Sequence, residues 1–77
     1  MPKYTINTEQ IDNTFTYHPP FGTQTDRYQN IRNIAKALAI QIAQYCPDSR
    51  EKSLAMTNLE QSVMWANASI ARNETPE

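Results

Sequence analysis

The stretch SREKSLAMTNLEQSVMWANASIARNE, Ser49 to Glu74, decides the fold, because it keeps a helical period throughout yet is apolar on two faces. At about 100° per residue, Ala55, Met56, Leu59, Val63, Ala66 and Ile70 fall in one stripe, the pattern of a helix that lays one side on a core. Leu54, Met64, Trp65 and Ala68 fall on roughly the opposite side, with Arg72 at the azimuth of Leu54. A second surface therefore asks to be covered.

Little else in the chain is available to cover it. With 77 residues and 8.9 kDa there is room for one small domain, residues 1–77. Such a chain buries only about 60% of its unfolded surface. One Cys cannot close an internal disulfide, and one His leaves no cluster at metal-ligand spacing, so oligomerisation is the remaining way to stabilise it. The net charge of −1 gives no field for a polyanion, which argues against DNA or RNA polymers and restricts any anionic ligand to a small one. With no signal peptide and no apolar run that spans a bilayer, the expectation is a soluble, intracellular chain. Cys46 would then be reduced, a small apolar residue near a helix end.

Upstream, Thr23 and Thr25 are candidate caps, Asp26 favours a helix N-terminus, and no Gly or Pro interrupts as far as Tyr45. A first long helix is predicted over 23–46. Its main stripe holds Ile31, Ile34, Ala35, Leu38, Ile42 and Tyr45, while Ile40 sits opposite, between Ala37 and Ala43. Pro47 stops it, and Asp48 with Glu51 has capping-box spacing, so a second long helix follows over 48–74 in a tight antiparallel hairpin. Each helix covers one face of the other, which leaves Ile40, Leu54, Met64 and Trp65 for neighbours or for the N-terminal arm. Each large side chain so buried contributes about 1.5 to 3 kcal/mol.

Residues 1–11 read as an arm, extended or frayed over Met1 to Asn7. From Thr8, a possible N-cap followed by Glu9 and Gln10, a short helical turn is allowed to about Asn13. Residues 12–22 read as a docking loop. Phe15 and Tyr17 alternate as in extended chain, Pro19, Pro20 and Gly22 forbid a helix, and three aromatics including Phe21 are too many for a disordered linker.

These residues carry a family resemblance. TYHPP (16–20), RYQNIRNIAKALA (27–39) and CPDSREKSLAMTNLEQSVMWANASIARNE (46–74) resemble the small phage proteins that act as anti-CBASS cyclic-nucleotide sponges. The resemblance implies an all-α fold of a short N-terminal helix and two long helices, assembled as a compact homohexamer. It implies capture, without cleavage, of cyclic dinucleotides such as cGAMP and, at separate pockets, of cyclic trinucleotides such as cyclic tri-AMP. CBASS effectors would thereby stay inactive in the cytoplasm of the infected bacterial host. Carried over residue by residue, Tyr17 stacks on a base, Arg32 or Lys36 meets the dinucleotide phosphates, and Arg72 meets the trinucleotide. This chain reads SLAMT and WANAS where many relatives read SLALT and WANAA, which bears on the pocket walls and so on ligand preference.

The residues themselves allow two functions. Stacking contributes about 1 to 3 kcal/mol per base, and a charge-assisted hydrogen bond on the order of 1.5 to 3 kcal/mol, so a few aromatics and cations suffice for a sponge. Taken by themselves, Tyr17 is as well a loop-docking residue, and Arg32, Lys36 and Arg72 are solvated surface charges. His18 reads as a hydrogen-bonding loop residue and Trp65 as interface core. An enzyme is not expected. Ser49, Ser53, Ser62 and Ser69 share one helix with no base beside them, Glu51 and Glu60 point apart, and no cofactor or metal is implied. The alternative to a sponge is a structural helical-hairpin oligomer acting as a protein–protein adaptor through its Trp65 face.

Overall fold

The computed structural model describes residues 6–76 and holds three helices, α1 (Thr8–Phe15), α2 (Gln24–Tyr45) and α3 (Arg50–Asn73). Among the described residues there is no strand. α2 and α3 form the antiparallel hairpin, and α1 lies against the end of α3.

The helix ends correct the expected boundaries. α1 is capped by Asn7 rather than Thr8. Asn7 Oδ1 accepts from the Gln10 amide at 2.9 Å and Gln10 Oε1 accepts from the Asn7 amide at 3.2 Å, so two orphan donors of the first turn are satisfied reciprocally. So capped, α1 runs through Phe15, which is helical rather than extended, and the expected division between arm and loop at residues 11 and 12 falls inside it. Thr16 ends it in extended conformation, donating its hydroxyl to the Asp12 carbonyl at 2.5 Å. Tyr17 to Phe21 follow outside any helix, as expected. Gly22, at φ 55°, makes the left-handed step that turns the chain into α2. The extended reading of the first seven residues falls, for 1–5, outside the described residues.

At the closed end the N-cap of α3 is Ser49, one residue later than expected. Its Oγ accepts from the Lys52 amide at 3.1 Å, while Asp48 instead pairs with Lys52 Nζ at 2.9 Å. The same Nζ donates to the Ala43 carbonyl at 3.0 Å, tying the last turn of α2 to the first of α3. Cys46 is the C-cap of α2 and is exposed, so in the single chain it does not pack as a small apolar residue.

The seam between the long helices is narrower than the predicted stripes. Ile31, Ala35, Ala39 and Ile42 of α2 are half-buried against Ala55, Leu59, Val63, Ala66 and Ile70 of α3. Ile34, Leu38, Tyr45 and Met56, read as members of the same stripes, stay exposed. The cause is geometric: small alanines let a four-residue ridge settle between the helices, and a lone partner covers only that ridge. The far faces are open as predicted, with Trp65 67% and Met64 63% exposed beside Ile40 and Leu54. α1 half-covers only the Ala68 and Arg72 end of that surface.

Among the described residues no hydrophobic side chain is fully buried, and Gln24, 2% exposed, is the one buried residue of any kind. The radius of gyration is 15.9 Å, against about 12 Å for a compact domain of this length. One copy is thus a frame with its apolar surface still outside.

Candidate functional site

The ordered chemistry lies at the open end of the hairpin, where the register sets the first turn of α2 beside the last turn of α3. A helix leaves its last four carbonyls without partners. α3 has no C-terminal glycine, and two of those carbonyls are met from elsewhere. The Ile70 carbonyl accepts from Gln24 Nε2 at 3.4 Å, and the Arg72 carbonyl accepts from Asn13 Nδ2 at 3.0 Å. Gln24 Nε2 also donates to Glu74 Oε1 at 3.0 Å, and its own Oε1 accepts from the Phe21 amide at 3.2 Å. Its burial follows, since each polar atom of the carboxamide has a partner.

Arg27 completes the frame with a two-pronged grip on Glu74: Nη1 reaches Oε2 at 2.6 Å and Nη2 reaches Oε1 at 2.7 Å. Its Nε donates to Thr23 Oγ1 at 3.2 Å, which explains why Thr23, in the cap position, caps nothing. The guanidinium first, and the Gln24 amide second, hold the Glu74 carboxyl at about 2, below its ordinary 4.5. The pair raises Arg27 in turn.

Over this end lies a cavity of about 370 Å³ lined by Tyr17, His18, Tyr28, Asn67 and Arg72. Tyr17 is 80% exposed, a flat aromatic face offered to solvent. His18 Nε2 lies 2.7 Å from the Asn13 carbonyl, which can only accept, so that nitrogen carries the proton. Asn13 therefore joins the Tyr17 loop to the Arg72 backbone. Among the described residues the Arg72 guanidinium has no ion pair and no hydrogen bond, and Asn67 Oδ1 is buried without a donor.

Arg32 and Lys36 lie elsewhere, on the rim of a groove of about 430 Å³ along the middle of the hairpin, floored by Met56, Leu59, Val63 and Met64. Arg32 Nη1 is held by Gln29 Oε1 at 3.1 Å. Within one chain the four sequence-predicted site residues thus separate into Tyr17 with Arg72, and Arg32 with Lys36. Among the described residues no group of three or more His, Cys, Asp and Glu side chains gathers.

Comparison with known families matches residues 7–71 to the Acb2/Tad1 hairpin domain. The chain belongs to the Acb2/Tad1 hairpin family. The anti-CBASS resemblance read from the TYHPP, RYQNIRNIAKALA and CPDSREKSLAMTNLEQSVMWANASIARNE segments is thereby established. No curated protein and no solved structure matched the chain. The match to the Acb2/Tad1 hairpin begins at Asn7, the cap of α1, and takes in the Tyr17 loop, all of α2 and α3 as far as Ala71. Arg72 and the clamped Glu74 stand just past it. Membership of the Acb2/Tad1 hairpin family suggests a sponge-type anti-CBASS function and cyclic oligonucleotides as the ligand class. Sequence reading missed Asn13, Gln24, Arg27, Tyr28, Asn67 and Glu74. The one available signal was hairpin register, which sets basic Arg27 near the start of α2 opposite acidic Glu74 past the end of α3.

Proposed function

We propose that this chain is a phage anti-defence protein that binds cyclic di- and trinucleotides, holds them intact and so keeps CBASS effectors from activation in the bacterial host. The observation that supports the reading, beside family membership, is that one chain leaves an aromatic face and several cations open to a ligand: Tyr17 is 80% exposed, Arg72 has no ion pair among the described residues, and Arg32 and Lys36 stand on the rim of a separate groove. π-faces and cations are what bases and phosphates require.

The working form in this reading is a homohexamer. The exposed Ile34, Leu38, Met64 and Trp65 faces supply the apolar contacts that copies of the chain share. A cyclic dinucleotide suits a two-fold interface that presents the same residues twice, and a cyclic trinucleotide suits a three-fold axis. Tyr17 of one copy then works with Arg32 or Lys36 of its neighbour on the dinucleotide, and three copies of Arg72 grip the trinucleotide. No step of hydrolysis is assigned to any residue.

Exposure of Trp65 at 67% also favours the adaptor reading, in which that face docks another protein. Thermal unfolding separates the two. A ligand that binds only the folded state raises the midpoint by mass action. The sponge is stabilised by micromolar cyclic dinucleotide, and an adaptor does not respond.

A further inference from the structure

Arg72 sits in the last turn of α3, just before the helix ends at Asn73. Terminal turns fray, because their carbonyls lack partners and few neighbours hold them. This one is held from α1. The face of α1 turned to it carries Glu9, Gln10 and Asn13, one turn apart, which line a shallow cavity with Arg72. Among the described residues Glu9 makes no ion pair with Arg72, and the Gln10 side chain is engaged at the Asn7 cap. Asn13 is half-buried and donates from Nδ2 to the Arg72 carbonyl at 3.0 Å, the only hydrogen bond between α1 and α3 among the described residues. The Asn13 backbone has a separate partner, since its carbonyl accepts from His18 Nε2 beside Tyr17.

We propose that Asn13 is a positioning residue for trinucleotide capture: its side-chain amide holds the Arg72 backbone, so that the guanidinium reaches a phosphate from a fixed base. The inference rests on the assignment of Arg72 to trinucleotide binding and adds the residue that orders it. Three cations that meet one ligand on a three-fold axis must hold their places together, and any freedom left in the free protein is lost on binding at every copy. Asn13 removes that freedom beforehand. It touches no ligand in this account. A side-chain substitution at Asn13 cuts the Arg72 bond and spares the His18 bond, which uses the backbone carbonyl. The effect is therefore confined to one ligand class, whereas loss of a residue that merely supports the fold or the assembly weakens both.

That difference sets the experiment. Cyclic tri-AMP and cGAMP are each titrated calorimetrically into wild type, Asn13→Leu, Asn13→Asp and Arg72→Ala, with sedimentation of each. Leu is close to Asn in size and favours a helix but donates no hydrogen bond, and Asp keeps the shape while offering an acceptor where the carbonyl needs a donor. Asn13→Leu is expected to bind cyclic tri-AMP about tenfold more weakly, roughly twofold per subunit compounded over a three-fold site, and to bind cGAMP as wild type does. Asn13→Asp weakens cyclic tri-AMP at least as much. If Arg72→Ala abolishes cyclic tri-AMP binding but either Asn13 variant binds it undiminished, or weakens both ligands equally, the positioning role is overturned and the Arg72 assignment stands. Where only one Asn13 variant assembles, it decides alone; if neither assembles, Asn13 is a folding residue and the role is overturned. Wild type that does not bind cyclic tri-AMP, or Arg72→Ala that binds it normally, overturns the Arg72 assignment and the positioning role with it.

Discussion

The open end of the hairpin and its middle solve opposite problems. At the open end, α1, α2 and α3 meet through Asn13, Gln24, Arg27 and Glu74, whose hydrogen bonds close inside one chain, while the neighbouring Arg72 guanidinium and Asn67 Oδ1 have no partner among the described residues. In the middle, Ile34, Leu38, Met64 and Trp65 stand in solvent, and the seam is lined largely by alanines and single branched side chains. Hydrogen bonds are directional and close within a chain; apolar area has value only when something covers it. The polar end is thus preformed in one copy, whereas the apolar middle waits for others.

The largest effect expected follows from the middle. Trp65→Glu places a charge on the face that copies are proposed to share, and should dissociate or unfold the assembly, as sedimentation at micromolar concentration would show. A folded wild-type monomer at that concentration would remove the comparison's premise.

Next in size are the two site residues. Tyr17→Ala should cost roughly 2 to 6 kcal/mol of cyclic dinucleotide binding, a stacking loss at each of two bases, and leave trinucleotide binding nearly intact. Arg72→Ala should do the reverse, losing on the order of 1.5 to 3 kcal/mol for each charge-assisted bond. In one chain these side chains line the same cavity. Equal weakening of both ligands by either substitution, in intact oligomers, would assign them to one shared pocket.

The smallest effect concerns the open-end clamp. Glu74 is depressed from 4.5 to about 2 in the folded chain, so its contribution is complete above the unfolded value and is lost as pH falls through the folded one. Thermal midpoints should hold steady from neutral pH down to about 5 and then decline more steeply in wild type than in Glu74→Gln. With the Arg27 and Glu74 side chains 41% and 36% exposed, added salt should shrink that difference. Equal decline in both proteins would place the acid sensitivity elsewhere.

Much of the fold was legible because the signals were long and periodic. Two uninterrupted helices around Pro47, each with a second apolar face, give the hairpin and its need of neighbours. The cap positions at Asn7 and Ser49 slipped by one residue because Asn, Thr, Asp and Ser stand next to one another, and reciprocal geometry rather than residue type selects among them. A stripe counts azimuths and so places Ile34 and Tyr45 in the core, whereas two helices alone bury only one ridge of it and leave both exposed. Tyr17 and Arg72 were reachable through the family resemblance. Gln24 was not, because its burial depends on meeting the far end of α3, and no local pattern announces a contact between residues 24 and 70.

The central claim is capture without chemistry, and one measurement meets it directly. Cyclic dinucleotide and cyclic trinucleotide are each titrated into the purified wild-type protein by calorimetry, and the complexes are then denatured and the released nucleotide resolved by chromatography. The account predicts saturable binding of both, with the cyclic compounds recovered intact. Absence of binding to either class, or recovery of linear products, would contradict it.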